Sequence, residues 1–461
     1  MNGLRAVVAL VVGWLVLGLC GPARALPVAD SSLVGWYDAN DIDGNPLTAN
    51  PASGTAVGTW VNKANPGTHN GAATGTTPTL QNNQMNGRPV IRFSGASGTG
   101  YNIGTFRTTD GPYHYFGVTA ASSSQIGAAW QRIVSSYDGS GPPNNNDWMG
   151  SNWCRERPLA NWATNGAANA YPPPYSSFVA QSTAASGKKM QGMRLGRDAY
   201  QSTTVNFTGD MSEVLLYTRQ LNAAERIITD NFFLAKYNGT NAQTASTTSV
   251  PTPSVLPPVN DVYSGDDPAQ GNYDFDVFGV GQQVGAANQL LTSATSTNPI
   301  FANAGLILEA TGGLGDNEYL LAGHKTAVNS GVTTDLPDAV LERWDRVWYL
   351  DFTGELDARV TFDFSEGGLT YSPPPGGTVF DLLYSPTNAF ETTENPFTRV
   401  GLQTTVTDDQ VSFLVPGGRL SDGYLTLAVA QVIPEPASLT LLAAGMVAAA
   451  LRRRRAGTRR G

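Results

Sequence analysis

The sequence predicts an all-β protein of two sandwich domains followed by one apolar C-terminal helix, and three observations carry that prediction. Only 14% of the 461 residues are charged, while 51 Gly and 29 Pro supply turns. Such a composition disfavours helical bundles and coiled coils and favours short strands joined by loops. Short runs with alternating apolar character, bounded by Gly, Pro, Asn or Asp, recur in both halves of the chain. A Thr-, Ser- and Pro-rich stretch near the middle separates two regions, each long enough for its own core.

Charge excludes one class of partner. The net charge is -9, and the basic residues concentrate at the two ends, so residues 26–434 hold 20 Lys and Arg against 36 Asp and Glu. A body that acidic has no electrostatic footprint for nucleic acid.

Residues 1–25 read as a signal peptide: Arg5, an apolar run from Ala6 to Leu19, then Ala23-Arg24-Ala25 with the small-x-small form that signal peptidase cleaves. Passage through the Sec machinery is the expectation. The run is short for a retained anchor, and Leu19 before Cys20 is too large for a lipidation signal. Cys154 is then the one cysteine of the mature chain, so packed sheets rather than disulfides hold the folds.

The first region, 26–240, opens on Leu33-Val34-Gly35-Trp36-Tyr37-Asp38, continues through Thr59-Trp60-Val61-Asn62 and alternates over Arg88-Pro89-Val90-Ile91-Arg92-Phe93. Val214-Leu215-Leu216-Tyr217 is a further apolar run, and one helix closes the region from Leu221 to Tyr237. Asn222 with Glu225 three positions on is the signature of a capping box. The apolar positions of this helix form no single stripe, and docking on a sheet edge is expected. Three stretches resemble the LamG-like, concanavalin A-type jelly-roll domains of bacterial surface proteins. They are Gly35-Trp36-Tyr37-Asp38-Ala39, Asn86-Gly87-Arg88-Pro89-Val90-Ile91-Arg92-Phe93 with Gly95, and Gly209 to Tyr217 before the Glu225-Arg226 helix. The resemblance implies a jelly-roll sandwich and, often, calcium and carbohydrate binding.

Residues 241–260 form the linker, too polar and proline-rich to bury a core. The second region, 261–431, presents Asp274 to Gly281, Gly305 to Glu309, Glu318 to His324, Arg343 to Leu350, Val360 to Phe364 and Gly423 to Ala428 as strands, for which a β-sandwich is the economical architecture. Its Gly279-Val280-Gly281 opening, Tyr319-Leu320-Leu321-Ala322-Gly323-His324, Arg343-x-x-Arg346-x-Trp348 and Asp422-Gly423-Tyr424-x-Thr426-Leu427 look like an uncharacterised module that follows LamG-like domains in surface proteins. That resemblance implies architecture and no activity.

Residues 432–461 are the most specific feature. Pro434-Glu435-Pro436 precedes fifteen uncharged residues, Ala437 to Leu451, and then Arg452-Arg453-Arg454-Arg455. The apolar stretch is just long enough to span a bilayer with helpful flanks, and the arginines would hold its end on the cytoplasmic side. This order resembles the PEP-CTERM sorting signal of exopolysaccharide-producing Gram-negative bacteria. The resemblance implies export, transient membrane anchoring through the C-terminal helix, processing near Pro-Glu-Pro by an exosortase (an integral-membrane cysteine protease) and delivery to the cell surface or matrix.

No catalytic residue is nominated. A glycan hydrolase on such a sandwich would show carboxylates at alternate strand positions, and the nearest match, Glu355-Leu356-Asp357, lacks the last carboxylate and reads as a turn. Gly279 to Gly285 misses the dinucleotide-binding spacing and has no βαβ context. His69, His114 and His324 lie far apart without a zinc-ligand pattern and read as structural. Cys154 shows no partner for nucleophilic work, and no Gly-x-Ser-x-Gly elbow occurs.

Two clusters suit binding. Asp38, Asp41 and Asp43, with Asn40, Gly44 and Asn45, offer the hard oxygen ligands that Ca²⁺ prefers, although the distal glutamate of a full calcium loop is missing and a solvated turn is the alternative. Trp148, Trp153, Trp162, Tyr171 and Tyr175 lie in a Pro-, Asn- and Gly-rich stretch where exposed rings would stack on sugar faces, with packing under a long loop as the alternative. The expected role is a non-enzymatic protein of the cell surface or matrix that binds polysaccharide or another matrix component. A glycan hydrolase and a purely structural envelope or biofilm component are the alternatives.

Overall fold

The computed structural model describes residues 31–45, 48–121 apart from 86 and 97, 132–136, 162–164, 167–168, 178–184, 189–198, 206–238, 262–283, 289–295 apart from 292, 305–325, 330–365 apart from 335, 373–388, and 397–432 apart from 403. In the first region the strands are β1 (Leu33–Asp38), β2 (Thr59–Trp60), β3 (Gly71–Thr74), β4 (Thr79–Met85), β5 (Arg88–Ser94), β6 (Gly100–Gly104) and β7 (Tyr113–Ala121). They continue as β8 (Val134–Ser135), β9 (Trp162–Thr164), β10 (Ala167–Ala168), β11 (Phe178–Ala184), β12 (Met193–Leu195) and β13 (Thr208–Tyr217), before the helix α1 (Ala223–Asn238).

These strands form two antiparallel sheets. One runs β10-β9-β11-β7-β13-β5-β4, with β1 also on β13; the other runs β2-β3-β6-β12-β8. β7 pairs along one edge of β13, so β5 and β1 share the other edge end to end. Alternation along the strands separates two apolar faces. Tyr37, Ile91, Phe93, Tyr115 and Leu216 meet Trp60, Tyr101, Ile103, Val134 and Leu195 of the smaller sheet in one core, where Trp60 sits edge-on to both Tyr37 and Tyr101. The opposite face of the larger sheet presents Leu33, Trp36, Phe116, Leu215 and Tyr217 to α1.

The second region contributes β14 (Phe275–Gln283), β15 (Gln289–Leu291), β16 (Ser293–Thr295), β17 (Leu306–Ala310), β18 (Glu318–His324), β19 (Gly331–Val332), β20 (Val340–Trp344) and β21 (Trp348–Thr353). After these come β22 (Ala358–Asp363), β23 (Thr378–Ser385), β24 (Thr398–Arg399), β25 (Thr404–Thr407), β26 (Gln410–Val415) and β27 (Gly423–Gln431). Strands β14, β15, β18–β21, β23, β24 and β27 build a nine-stranded sheet, and β16-β17-β22-β26-β25 a five-stranded one. Phe278, Leu320, Trp348, Leu382 and Leu425 of the first pack against Leu306, Val360, Phe362, Val411 and Phe413 of the second. The last strand of the chain, β27, is central: β23 occupies one edge, while β21 and β20 pair end to end along the other.

Arg343 to Leu350, which the alternation suggests is one strand, is broken between β20 and β21. Thr426 on β27 explains the break, because its hydroxyl lies within reach of the carbonyls of both Trp344 (3.0 Å) and Arg346 (2.9 Å) and its one hydrogen is shared between them. Those carbonyls leave the ladder without losing hydrogen-bond partners.

Helix α1 begins as the capping box predicts. The Glu225 amide donates to Asn222 Oδ1 and the Asn222 amide to Glu225 Oε2, both at 2.8 Å, while Arg219 donates two 2.7 Å bonds to the same carboxylate. Its docking differs from the expected sheet edge. Phe232, Phe233 and Tyr237 pack on the open face of the first region's larger sheet; Ala224, Ile227, Ile228 and Ala235 pack with Val277, Tyr319, Leu321, Tyr349 and Tyr424 of the nine-stranded sheet. The helix therefore fills the space between two sheets, and five layers stack in the order sheet, sheet, helix, sheet, sheet. A helix covered on both sides needs apolar groups nearly all round, which is why no single stripe is visible. Its buried polar groups turn inward on the helix itself: Thr229 Oγ1 donates to Glu225 O (2.7 Å) and Asn231 Nδ2 to Ile227 O (2.9 Å). Arg88 adds a direct contact between the regions, its guanidinium 4.4 Å from the centre of the Phe275 ring.

Among the described residues, no helix is long and apolar enough to cross a membrane. Residues 437–451, where the sequence places the spanning segment, lie outside them.

One buried carboxylate of the second region responds to pH. Asp351 on β21 is buried and accepts 2.6 Å bonds from the amide and hydroxyl of Ser264. Burial outweighs these bonds and pushes the carboxyl up to about 6. Because the folded form holds its proton more tightly than the unfolded chain does, this site loses stability as pH rises from about 4 to about 6 and does not regain it above. Asp351→Asn is expected to add up to about 2 kcal/mol at neutral pH and nothing at pH 4. Urea melts at the two pH values check this, and an equal effect at both would contradict it.

Candidate functional site

Asp38 and Glu213 face each other across β1 and β13, and both belong to the sheet face covered by α1. Alternation puts Asp38 on the side of Trp36, and Glu213 on the side of Leu215 and Tyr217. From the helix, Lys236 Nζ reaches Glu213 Oε2 at 2.7 Å and Asp38 Oδ2 at 3.1 Å. Tyr237 Oη donates to Glu213 Oε2 at 2.6 Å and Trp36 Nε1 to Glu213 Oε1 at 2.7 Å. Lys63, in the turn after β2, lies 3.3 Å from both Asp38 Oδ2 and Asp41 Oδ2, with its ammonium 4.1 Å from the centre of the Trp36 ring. Asn40 donates its amide and its side chain to Asp38 Oδ1 at 2.8 and 2.7 Å.

All five charged groups are buried, each at most 3% exposed. Burial disfavours the charged form of each; mutual attraction outweighs it for Asp38 and Lys236, whereas burial, with the neighbouring Asp38 charge, still raises the Glu213 carboxyl. For Asp38, burial is outweighed by Lys236 and Lys63, which hold its carboxyl well below the usual carboxylate range. For Lys236, burial is outweighed by Asp38 and Glu213, which raise the ammonium above its ordinary value. Lys63 shifts down and Asp41 shifts up, burial being the main cause in each case. The cluster is a charged clamp joining strand β1, strand β13, the turn after β2 and the last turn of α1.

Of the candidate calcium ligands Asp38, Asp41 and Asp43, the first two belong to this cluster. Asp38 pairs with Lys63 and Lys236 and Asp41 lies 3.3 Å from Lys63, while Asp43 accepts the Asn45 amide at 3.0 Å in an exposed turn. Among the described residues, no group of three or more His, Cys, Asp or Glu is placed to hold a metal. The lysines come from positions 63 and 236, the second of them far from the aspartates in sequence.

The aromatic candidates fall differently. Trp162 opens β9, and the backbone alone is described there; Trp148, Trp153, Tyr171 and Tyr175 lie outside the described residues, as does Cys154. The flanking elements are clear. β8 ends the smaller sheet, and β9 with β10 ends the larger one. The other flank is closed where Ala56, ahead of β2, bridges to Thr79 of β4. In sequence, residues 137–161 run from β8 to β9 and residues 169–177 from β10 to β11.

In the second region, the motif residues converge in the interior. His324 Nε2 lies 2.7 Å from Asp276 Oδ2, and its imidazole sits 4.5 Å from the Trp348 ring and stacks on Phe275. Arg346 is fully buried beside them. Gly323 is required by packing: a Cβ there would come within 2.4 Å of Tyr263 Oη and 2.5 Å of Tyr273 O. His69 packs on Phe106 and His114 on Phe116. Glu355 and Asp357 occupy the turn between β21 and β22, where Asp357 accepts the Gly417 amide at 2.7 Å.

The five-layer all-β architecture carries a recognisable address. Residues 432–455 match the PEP-CTERM protein-sorting motif, spanning Pro434-Glu435-Pro436 and Arg452 to Arg455. The motif marks the chain as an exported protein sorted by an exosortase, with a surface or extracellular destination in a Gram-negative bacterium. No curated protein matches the chain.

Proposed function

We propose that this exported protein is a non-catalytic surface or matrix component whose first sandwich binds carbohydrate, associated with exopolysaccharide. The reading rests on the concentration of Trp148, Trp153, Trp162, Tyr171 and Tyr175 in one Pro-, Asn- and Gly-rich stretch of the first region, a composition suited to stacking on sugar faces. Its Trp and Tyr rings would supply stacking faces, with Asn, Ser and Thr completing the hydrogen bonds. The resemblance of this region to LamG-like jelly rolls supports the same reading.

The carboxylates support a role without catalysis. Asp38 and Glu213 are the facing pair that a glycosidase would use, yet both lie under α1 and are spent on lysines, so neither can reach a glycosidic oxygen. Binding is expected to be independent of calcium, since Lys63 sits between Asp38 and Asp41 and Lys236 against Asp38.

A polysaccharide-retention assay with the full chain tests this. Trp148→Ala with Trp153→Ala is expected to weaken retention several-fold while the melting temperature stays within a few degrees, and a chelator is expected to change nothing. Unchanged retention in the correctly folded variant would turn the reading towards a purely structural component.

A further inference from the structure

The sorting motif starts where the fold stops. Gln431 ends β27, and its amide donates to Ala339 O at 2.7 Å; Val432, the first residue of the matched motif, still donates its amide to Gly377 O at 3.0 Å. Both acceptors belong to tight turns, the one before β20 and the one before β23. Ala339 holds a left-handed backbone (φ 65°) that costs a non-glycine residue on the order of 1 kcal/mol, and Gly377 (φ 86°) sits in the same region of φ. The last strand is thus gripped on both edges up to residue 432. From Val432 to Pro436 there are four residues, which reach at most about 14 Å even when fully extended. A membrane protease acting near Pro434-Glu435-Pro436 consequently meets the end of the folded sandwich itself.

That end carries exposed apolar side chains. Val379 pairs with Ala430 across β23 and β27, Leu341 follows Val340, which pairs with Ala430 from β20, and Val432 lies two residues beyond. Their exposures are 40%, 42% and 49%, among the five largest apolar exposures on the described surface. The exposed flanking charges, Asp338 and Glu342, are acidic; the nearby cation Arg399, which donates to Gln431 O at 3.3 Å, is paired with Asp381. Acidic groups are repelled by the anionic headgroup surface of a bilayer, so an apolar protein surface is the better complement.

We propose that this rim, Leu341, Val379 and Val432 around the exit of β27, is a docking surface for the sorting protease, which seats the folded second sandwich while it holds the motif. The proposal rests on the exosortase-sorted reading of residues 432–455 and adds a second recognition element outside the motif. It requires no unfolding of β27, whose central place in the nine-stranded sheet would make fraying costly.

The test follows processing of the full chain in exosortase-containing cells by pulse-chase. Leu341→Glu with Val379→Glu is expected to slow processing at least tenfold. The control pair Val406→Glu with Leu414→Glu, which alters the other two exposed apolar side chains on the five-stranded sheet, should leave the rate unchanged. A Gly/Ser spacer of about ten residues inserted between Val432 and Ile433 should restore the rim variant, because the motif can then reach the protease without the rim. Equal rates for the two charge pairs, or no rescue by the spacer, would overturn the proposal. Flotation of the unmutated chain's processed product with phosphatidylethanolamine–phosphatidylglycerol vesicles, lost in the rim variant, would also overturn it and assign the rim to lipid. Loss of processing in a Glu435 variant alone tests the sorting motif separately from the rim.

Discussion

Lys236→Met is expected to destabilise the protein by about 3–5 kcal/mol, the scale seen when one member of a buried ion cluster is removed and its partners stay charged. Lys236 neutralises two carboxylates at once, Asp38 and Glu213, and neither has solvent to turn to. Methionine keeps the apolar stem and removes the charge, so the loss reports electrostatics rather than packing. Adding Glu213→Gln should recover a large share, since a neutral amide oxygen can still accept from Trp36 or Tyr237 without leaving an unpaired charge. Urea melts of the two variants and their combination give the cycle. A cost below about 1 kcal/mol for Lys236→Met would show that the clamp is not an energetic element of the fold.

The pH dependence has two arms. Asp38 is held below its unfolded value, so its contribution is complete above the usual carboxylate range and is lost as pH falls through the lower folded value. Lys236 is held above its unfolded value, so its contribution is complete below about pH 10.4 and is lost as pH rises through the higher folded value. Lys236→Met is expected to remove the alkaline arm and weaken the acid one.

The second large effect concerns cooperativity. Ile228 is fully buried in the cluster that joins α1 to the nine-stranded sheet, and Ile228→Ala is expected to cost about 2–5 kcal/mol through lost burial and the cavity left behind. Because that cost falls on the seam between the sandwiches, calorimetry should show the unmutated protein melting in one transition and the variant in two. Truncation after Asn238 should go further. It strips the cover from Ala224, Ile227, Ile228 and Ala235, and the remaining first sandwich is expected to bind a hydrophobic dye and self-associate. Two transitions in the unmutated protein would mean that the helix does not couple the layers.

Much of the fold was legible because it is local. β5 follows an alternating run and β1, β13, β18 and β22 follow short apolar-rich runs bounded by turn residues, and the capping box at Asn222 and Glu225 formed as written. The break after Trp344 was not legible, because its cause is a threonine 82 positions away. The docking of α1 was misread for a related reason. Its irregular apolar pattern is ambiguous until a second sheet is known to lie above it, and that sheet follows a linker that carries no packing information. The lysine partners of Asp38 and Asp41 were not legible either, because nearby carboxylates look the same in sequence whatever distant groups they meet.

By itself, the sequence determined the all-β class, the two strand-rich regions, the helix start and the sorting motif at 432–455. Each depends on neighbours within a few residues, or on a motif that another protein reads as linear chain. The tertiary structure alone decided that α1 is shared between two sandwiches and that Asp38 meets a lysine 198 residues away. It also decided that the sorting motif begins on a strand still gripped by two turns. Sheet register and burial bring such groups together, and removing charge from water forces each buried carboxylate to find its partner wherever in the chain that partner lies.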